Sequence, residues 1–115
     1  MSATFDLDAA IRKIPHHPKP GILFYDLMPL FGDPQALASV VETITEWGRE
    51  REIDAVLGAE ARGFIVGGAV AHNLGVGFVA ARKPGKLPGR RISQEYDLEY
   101  GTDALEVHED AITPG

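Results

Sequence analysis

Residues 53–81 read IDAVLGAEARGFIVGGAVAHNLGVGFVAA, and the order of their patterns indicates the fold class. The apolar run at 53–57 predicts a buried strand, which enters a turn rich in glycine and alanine. Small residues over 63–74 predict a helix that packs closely on a sheet, with Gly75 as its stop. The apolar residues of 76–81 predict a second strand. A strand, a helix and a strand in this order predict an α/β fold with a parallel sheet.

Each predicted strand ends in a loop that suits an anion. The first loop, 58–63, precedes a helix N-terminus, where backbone N–H groups and the forked guanidinium of Arg62 favour negative charge. The second loop, 82–91, holds five basic residues in ten positions on a chain that is acidic overall. Such a loop indicates a local site for phosphate or pyrophosphate. Because both loops follow the carboxyl ends of parallel strands, we expect them to share that site.

Charges are segregated along the second half of the chain. Six basic residues and no acidic residue lie between 62 and 91, whereas seven acidic residues and no lysine or arginine lie between 95 and 110. This pattern fits two differently solvated faces. It also fits an anion-binding region followed by a segment that handles protons or metal.

Three further groups of elements are predicted outside this unit. Apolar residues recur at helical spacing over 6–14 and predict a helix there. A second helix is expected over 34–50, with proline at its first position. Alternating residues predict two short strands at 92–100 and 104–108, joined at Gly101-Thr102.

Length and composition exclude several classes of protein. At 115 residues the chain is one domain or part of one, and its hydrophobic content of 44% allows a core. A net charge of −6 argues against general nucleic-acid binding, which requires a basic face. The chain has no cysteine for a disulfide or a metal site, and no apolar run approaches the ~20 residues that span a bilayer. Because residues 1–6 do not resemble a signal peptide, we expect a cytoplasmic protein without nucleic-acid or membrane partners.

Four motifs occur in order along the chain. They are PKPGILF at 18–24, AEARGF at 59–64, RKPGKLP at 82–88 and LEYGTD at 98–103. Together they closely resemble the adenine phosphoribosyltransferases, the purine-salvage members of the purine and pyrimidine phosphoribosyltransferase family. The resemblance extends over residues 11–115, essentially the whole chain. Four motifs in order are far more specific than any one of them.

The resemblance implies the type I phosphoribosyltransferase fold, a Rossmann-like parallel sheet with flanking helices and an N-terminal hood. Residues 1–33 would form the hood, and 34–115 would form a partial core that includes a flexible loop at 82–103. The family's ribose-phosphate loop, rich in threonine and glycine after two acidic residues, is expected just beyond Gly115. We therefore expect a single incomplete domain over 1–115, C-terminally truncated and poorly active or inactive by itself.

The resemblance also implies a reaction, in which adenine N9 attacks C1 of 5-phosphoribosyl-1-pyrophosphate to give AMP and pyrophosphate. Mg²⁺ would bind together with the phosphoribosyl pyrophosphate, and no protein metal ligand is expected because the four histidines lack metal-ligand spacing. The family's pyrophosphate-binding residues match Arg62, Arg82, Lys83 and Lys86. Its catalytic positions match Glu99, the carboxylate next to the base N7, and Tyr100, the mobile-loop tyrosine.

The adenine-binding positions of the family fall in the hood. Phe24 matches the residue that stacks on adenine, and Leu23 and Tyr25 would supply main-chain contacts to the edge of the base. Two positions depart from the family pattern, since Tyr25 stands where arginine is usual and His17 where phenylalanine is usual. Neither departure removes stacking or backbone readout, but both bear on the geometry of the base pocket.

Two alternative functions stay open. One is a non-catalytic fragment or dimerisation module that binds adenine or AMP and associates with an intact copy, since full-length relatives are typically homodimers. The other is a related purine phosphoribosyltransferase that takes a different base, such as xanthine or hypoxanthine. The hood sequence PGILF and the loop at 82–88 favour adenine.

Overall fold

The structure is a computed structural model that describes residues 6–98 and 101–112. The described elements, in chain order, are a 3-10 turn Asp8–Ala10, β1 Arg12–Pro15, β2 Leu23–Asp26, α1 Met28–Gly32, α2 Pro34–Arg49, β3 Ala55–Ala59, α3 Arg62–Leu74, β4 Gly77–Ala81, β5 Arg91–Leu98 and β6 Gly101–His108. The chain divides into two compact units, Met1–Ile44 and Thr45–Gly115. Within the described residues, no helix has both the length and the apolar content needed to cross a membrane.

The first unit begins with the 3-10 turn and a two-stranded antiparallel sheet. β1 pairs with β2 in a register that places Ile14 opposite Phe24, and an ion pair of 3.2 Å joins Arg12 to Asp26 across the strands. The helix expected over 6–14 is therefore wrong beyond one short turn. Backbone pairing with β2, a contact distant in sequence, overrides the helical spacing of the apolar residues.

Two helices follow this sheet. α1 has five residues and was not predicted; the Oδ1 atom of Asp26 accepts a hydrogen bond of 3.0 Å from the N–H of Met28 at its start. α2 confirms the predicted second helix to within a residue of its end. Its N-cap is Asp33, whose Oδ1 atom accepts hydrogen bonds from the N–H groups of Gln35 at 2.9 Å and Ala36 at 3.4 Å.

In the second unit, β3 and β4 lie parallel, and α3 connects them. Their register places Ala55 opposite Gly77. This arrangement confirms the predicted α/β unit and its parallel sheet. β3 begins two residues later than expected because the N–H of Ile53 bonds back to the carbonyl oxygen of Arg51 at 3.1 Å, in the turn after α2. α3 ends as predicted at Gly75, which has the left-handed φ of 73°.

The ring of Phe78 lies where the parallel sheet and α3 approach each other most closely. A Cβ atom on Gly67 would lie 2.6 Å from Cε1 of this ring, and a Cβ atom on Gly58 would lie 2.7 Å from the carbonyl oxygen of Gly63. Phe64 packs edge-on against Phe78, with ring centroids 5.7 Å apart. The approach of helix to sheet therefore requires glycine at both contact points, and it fixes the turn between β3 and α3.

β5 and β6 form a long antiparallel hairpin that pairs Leu98 with Gly101. The predicted junction at Gly101-Thr102 is wrong, because both residues belong to β6. Alternation of side chains marks strands but does not locate the turn between them, so the pattern placed the junction too late. The segment at 82–103, expected to be a flexible loop, includes all of β5 and the start of β6. Its mobility stays a prediction.

Candidate active site

The turn between β3 and α3 is held against the end of β4. The N–H of Glu60 donates a hydrogen bond of 2.9 Å to the carbonyl oxygen of Ala81, and the peptide bond between Glu60 and Ala61 is cis. Arg62 is the exposed first residue of α3. The first turn of a helix presents backbone N–H groups without intrahelical partners, so the start of α3 favours an anion.

The carboxylate of Glu60 joins this turn to the basic loop at 82–91. Its Oε1 atom accepts a hydrogen bond of 2.8 Å from the backbone N–H of Lys83 and one of 3.1 Å from Nε of Arg82. The hydrogen bond from the Lys83 N–H is the main reason that the pKa of Glu60 lies below its ordinary value. The two loops are therefore in contact, as the order of strand, helix and strand predicts.

Two further carboxylates hold the basic loop against β6. Asp103 forms a hydrogen-bonded ion pair with the ammonium group of Lys83. Glu106, which is buried, accepts a hydrogen bond at its Oε1 atom from the N–H of Gly85 at 3.3 Å, and the same atom forms an ion pair with Nε of Arg91 at 3.2 Å. Sequence reasoning did not assign these two carboxylates or Glu60 to the site. The available signal was the segregation of charge, since the acidic stretch pairs with the basic stretch.

Only two of the basic side chains between 62 and 91 lack a partner among the residues that the structure describes. They are Arg62 and Lys86, which have neither an ion pair nor a side-chain hydrogen bond there. The positive charge of Lys86 is close enough to contribute to the lowered pKa of Glu60. Among the described residues, no carboxylate forms an ion pair with its ammonium group.

The residues predicted to bind adenine lie on β2 in the first unit. Phe24 is half-buried and meets the ring of His17 edge-on, with ring centroids 4.8 Å apart. Leu23 and Tyr25 alternate with it along the strand and are 49% and 56% exposed. His17, one of the two departures from the family pattern, thus packs directly against the ring expected to stack on adenine.

No protein-family model matches the chain. An adenine phosphoribosyltransferase of Rhodopseudomonas palustris (strain HaA2) is 54% identical over 110 residues, which are 96% of this chain and 61% of that relative. The chain is homologous to the adenine phosphoribosyltransferases over nearly its whole length. It spans about 61% of the length of this relative and 64% of one from Desulfitobacterium hafniense (strain Y51).

Solved structures of the family share the fold. The adenine phosphoribosyltransferase of Rhodothermus marinus superposes with a TM-score of 0.84 at 50% identity, covering 95% of this chain and 62% of that one. The enzyme of Giardia lamblia, solved with 9-deazaadenine, superposes with a TM-score of 0.88 at 44% identity, covering 95% of this chain and 61% of that one. These matches confirm the type I phosphoribosyltransferase fold expected from the sequence.

The remaining predicted site residues of this adenine phosphoribosyltransferase homologue are Glu99 and Tyr100. Both lie outside the described residues, so their catalytic roles stay predictions. Within the described part of the chain, no group of three or more His, Cys, Asp or Glu side chains is placed to hold a metal ion. A Mg²⁺ ion bound mainly through phosphate oxygens would require no such group.

We expect the Lys83–Asp103 pair to stabilise the hairpin only in a defined range of pH. The hydrogen bond from Lys83 lowers the pKa of Asp103. The stability that the pair contributes is therefore fully present above the ordinary pKa of 3.8, and it is lost as pH falls through the lower pKa of the folded protein. The same bond raises the pKa of Lys83, so the contribution is present below 10.5 and is lost as pH rises through the higher folded value. Urea denaturation of the Asp103→Asn variant at neutral and acid pH measures this dependence.

The variant is expected to unfold at lower urea than the wild type at neutral pH, with the difference closing at acid pH. Asp97→Asn provides the control, because Asp97 is an exposed carboxylate on the same hairpin. An equal effect of the two substitutions, or a difference that persists unchanged at acid pH, would show that the pair does not act in this way.

Proposed function

We propose that the protein binds 5-phosphoribosyl-1-pyrophosphate and adenine and catalyses transfer of the phosphoribosyl group to adenine N9, giving AMP and pyrophosphate. The observation that carries this proposal is the meeting of two loops after parallel strands, where Arg62 and Lys86 have no described partner. Homology to the adenine phosphoribosyltransferases supports the choice of reaction. The structure of the Giardia lamblia relative, which was solved in complex with the adenine analogue 9-deazaadenine, supports the choice of base.

The proposed reaction places growing negative charge on the pyrophosphate side. As N9 bonds to C1, the C1–O bond breaks and its electron pair leaves with pyrophosphate. Positive groups held where this charge develops lower the barrier. We propose that Arg62 and Lys86 bind the pyrophosphate directly, because neither has to give up a carboxylate in order to do so. Arg82 pairs with Glu60 and Lys83 pairs with Asp103. These two cations would bind pyrophosphate only if their contacts with the carboxylates were replaced by contacts with phosphate oxygens.

Mg²⁺ has a defined place in this proposal. When bound to the phosphoribosyl pyrophosphate, the ion would neutralise part of the charge on the leaving group. The chain would hold the ion indirectly, through the phosphate oxygens that Arg62 and Lys86 bind.

Adenine recognition is proposed for the hood strand β2. Among the described strands β2 pairs with β1 alone, so the backbone of Leu23 and Tyr25 has an edge available for hydrogen bonds to a base. The ring of Phe24 would stack on adenine, with His17 fixing its orientation from the side. Backbone groups that pair with the amino group of adenine would discriminate against hypoxanthine, which has oxygen at the 6-position.

Several finer expectations remain part of the proposal. Glu99 would accept or donate the proton at the base N7. Tyr100 would belong to the segment that closes over the reacting groups and excludes water. A homodimer and a cytoplasmic location are also expected.

The proposed function is tested by measuring binding and turnover together. Binding of Mg²⁺-pyrophosphate and of adenine is followed by calorimetry, and labelled adenine with phosphoribosyl pyrophosphate and Mg²⁺ is assayed for AMP, with hypoxanthine and guanine as competing bases. The proposal predicts that both ligands bind and that any nucleotide formed is AMP. Binding with no AMP would favour the non-catalytic fragment or module over the enzyme. Nucleotide formed from hypoxanthine or guanine would favour a different base specificity, and no binding would overturn both the enzyme and the module.

A further inference from the structure

Glu106 is the most enclosed carboxylate near the basic loop, and neither the family motifs nor the proposed reaction uses it. The residue is 8% exposed and lies in the middle of β6. Burying a charged group is costly unless it is paired and hydrogen-bonded. The Oε1 atom of Glu106 meets this condition through Gly85 and Arg91, at 3.3 Å and 3.2 Å.

The backbone of Glu106 holds a third point of the same loop. Its N–H donates to the carbonyl oxygen of Arg82 at 2.7 Å, and its carbonyl oxygen accepts from the N–H of Arg82 at 2.8 Å. Glu106 therefore holds Arg82, the first residue of the loop, through its backbone. Its carboxylate holds Gly85 in the middle of the loop and Arg91 at its end. Leu87, which lies between Gly85 and Arg91 along the chain, is buried at 8% exposure.

We propose that Glu106 is a positioning residue that sets the location of Lys86 for pyrophosphate binding. The inference rests on the proposed function. Gly85, whose N–H donates a hydrogen bond to the Glu106 carboxylate, immediately precedes Lys86 and has the left-handed φ of 84°. The N–H of Lys86 closes the turn by bonding to the carbonyl oxygen of Lys83 at 3.3 Å. With Lys83 and Gly85 each held, the backbone of Lys86 has little freedom.

A carboxylate close to a proposed anion site requires an electrostatic explanation. An unpaired Glu106 would repel pyrophosphate, but the guanidinium of Arg91 neutralises it at 3.2 Å. Arg91 therefore neutralises Glu106 and does not bind the ligand. This separates the five basic residues of the loop into those that hold it in place and Lys86, which is available to an anion.

The test compares Glu106→Ala and Glu106→Gln with Glu109→Gln in the 115-residue chain. Glu109 is a suitable control, because its more exposed carboxylate pairs with Arg90 at 3.7 Å. Two quantities are measured: the amide exchange rate of Gly85 without ligand, and the Kd for Mg²⁺-pyrophosphate. Glu106→Ala is expected to raise both by about tenfold, because it removes a hydrogen bond to a charged acceptor.

Glu106→Gln distinguishes positioning from general stability. Its amide oxygen still accepts from Gly85, so both quantities are expected to return most of the way to wild type even though the ion pair with Arg91 is lost. Unfolding temperatures measured in parallel identify any variant that fails to fold. If wild-type chain binds no pyrophosphate, the proposed function fails and the inference with it. If the wild type binds and folded Glu106→Ala binds equally well, or Gly85 exchange is unchanged, the inference alone is overturned.

Discussion

Replacing Lys86 with alanine is expected to weaken the binding of Mg²⁺-pyrophosphate by about tenfold to one-hundredfold. A hydrogen bond to a charged group contributes ~1.5–3 kcal/mol, and each ~1.4 kcal/mol is a factor of ten in affinity. Lys86 has no described carboxylate partner, so its loss is not offset by the release of a competing ion pair. Arg62→Ala is expected to have an effect of similar size, because Arg62, at the start of α3, also has no ion pair among the described residues.

Arg90→Ala is the matched control for this experiment. It removes the same charge from the same loop, but Arg90 is 87% exposed in its side chain and pairs with Glu109. Calorimetric titration at fixed ionic strength should show Kd changed less than about threefold by this control, since exposed charges act weakly at a distance. Equal weakening by Lys86→Ala and Arg90→Ala would mean that the loop attracts anions by net charge alone. It would contradict a defined role for Lys86.

Replacing Gly67 with alanine is expected to destabilise the protein by ~1–3 kcal/mol, the usual cost of inserting a carbon atom into a packed contact. The added Cβ would lie 2.6 Å from the ring of Phe78, which lies between Gly67 of α3 and Gly58 of β3. The ring or the helix must move. Movement of α3 would displace Arg62, which lies in its first turn. Pyrophosphate binding is therefore expected to weaken together with stability.

Gly68 supplies a control one residue away in the same helix. An added Cβ there meets no atom within 4 Å, so Gly68→Ala is expected to leave stability unchanged or to raise it by up to ~1 kcal/mol through helix propensity. Urea denaturation of the two variants measures the difference. Similar stabilities for Gly67→Ala and Gly68→Ala would show that the contact between Phe78 and α3 is not tight in solution.

Local patterns predicted the central part of the fold. The parallel unit of β3, α3 and β4 was predictable because a buried apolar strand, a helix of small residues and a glycine stop each have a local signature. The same patterns placed the two anion loops at one edge of the sheet, where Glu60 and Lys83 are in contact. α2 was predictable for a similar reason, since Asp33 and the proline after it are local start signals.

Features that depend on a distant partner were not predictable in this way. The segment at 6–14 has helical spacing, yet part of it is a strand because β2 offers it backbone hydrogen bonds. The roles of Glu60, Asp103 and Glu106 depend on how the hairpin lies against the basic loop, which no spacing in the sequence records. Counting basic residues therefore overestimated the charge available to an anion, because most of it is neutralised within the protein.

The single pyrophosphate site is tested most directly by an NMR titration of the ¹⁵N-labelled 115-residue chain with Mg²⁺-pyrophosphate. We expect saturable shifts concentrated in the amides of 60–63 and 83–87, with little change at the cavity lined by Pro88 and His108. Lys86→Ala should weaken these shifts at the same pyrophosphate concentration. Absence of saturation, or shifts concentrated at that cavity, would contradict the claim that the two loops form one pyrophosphate site.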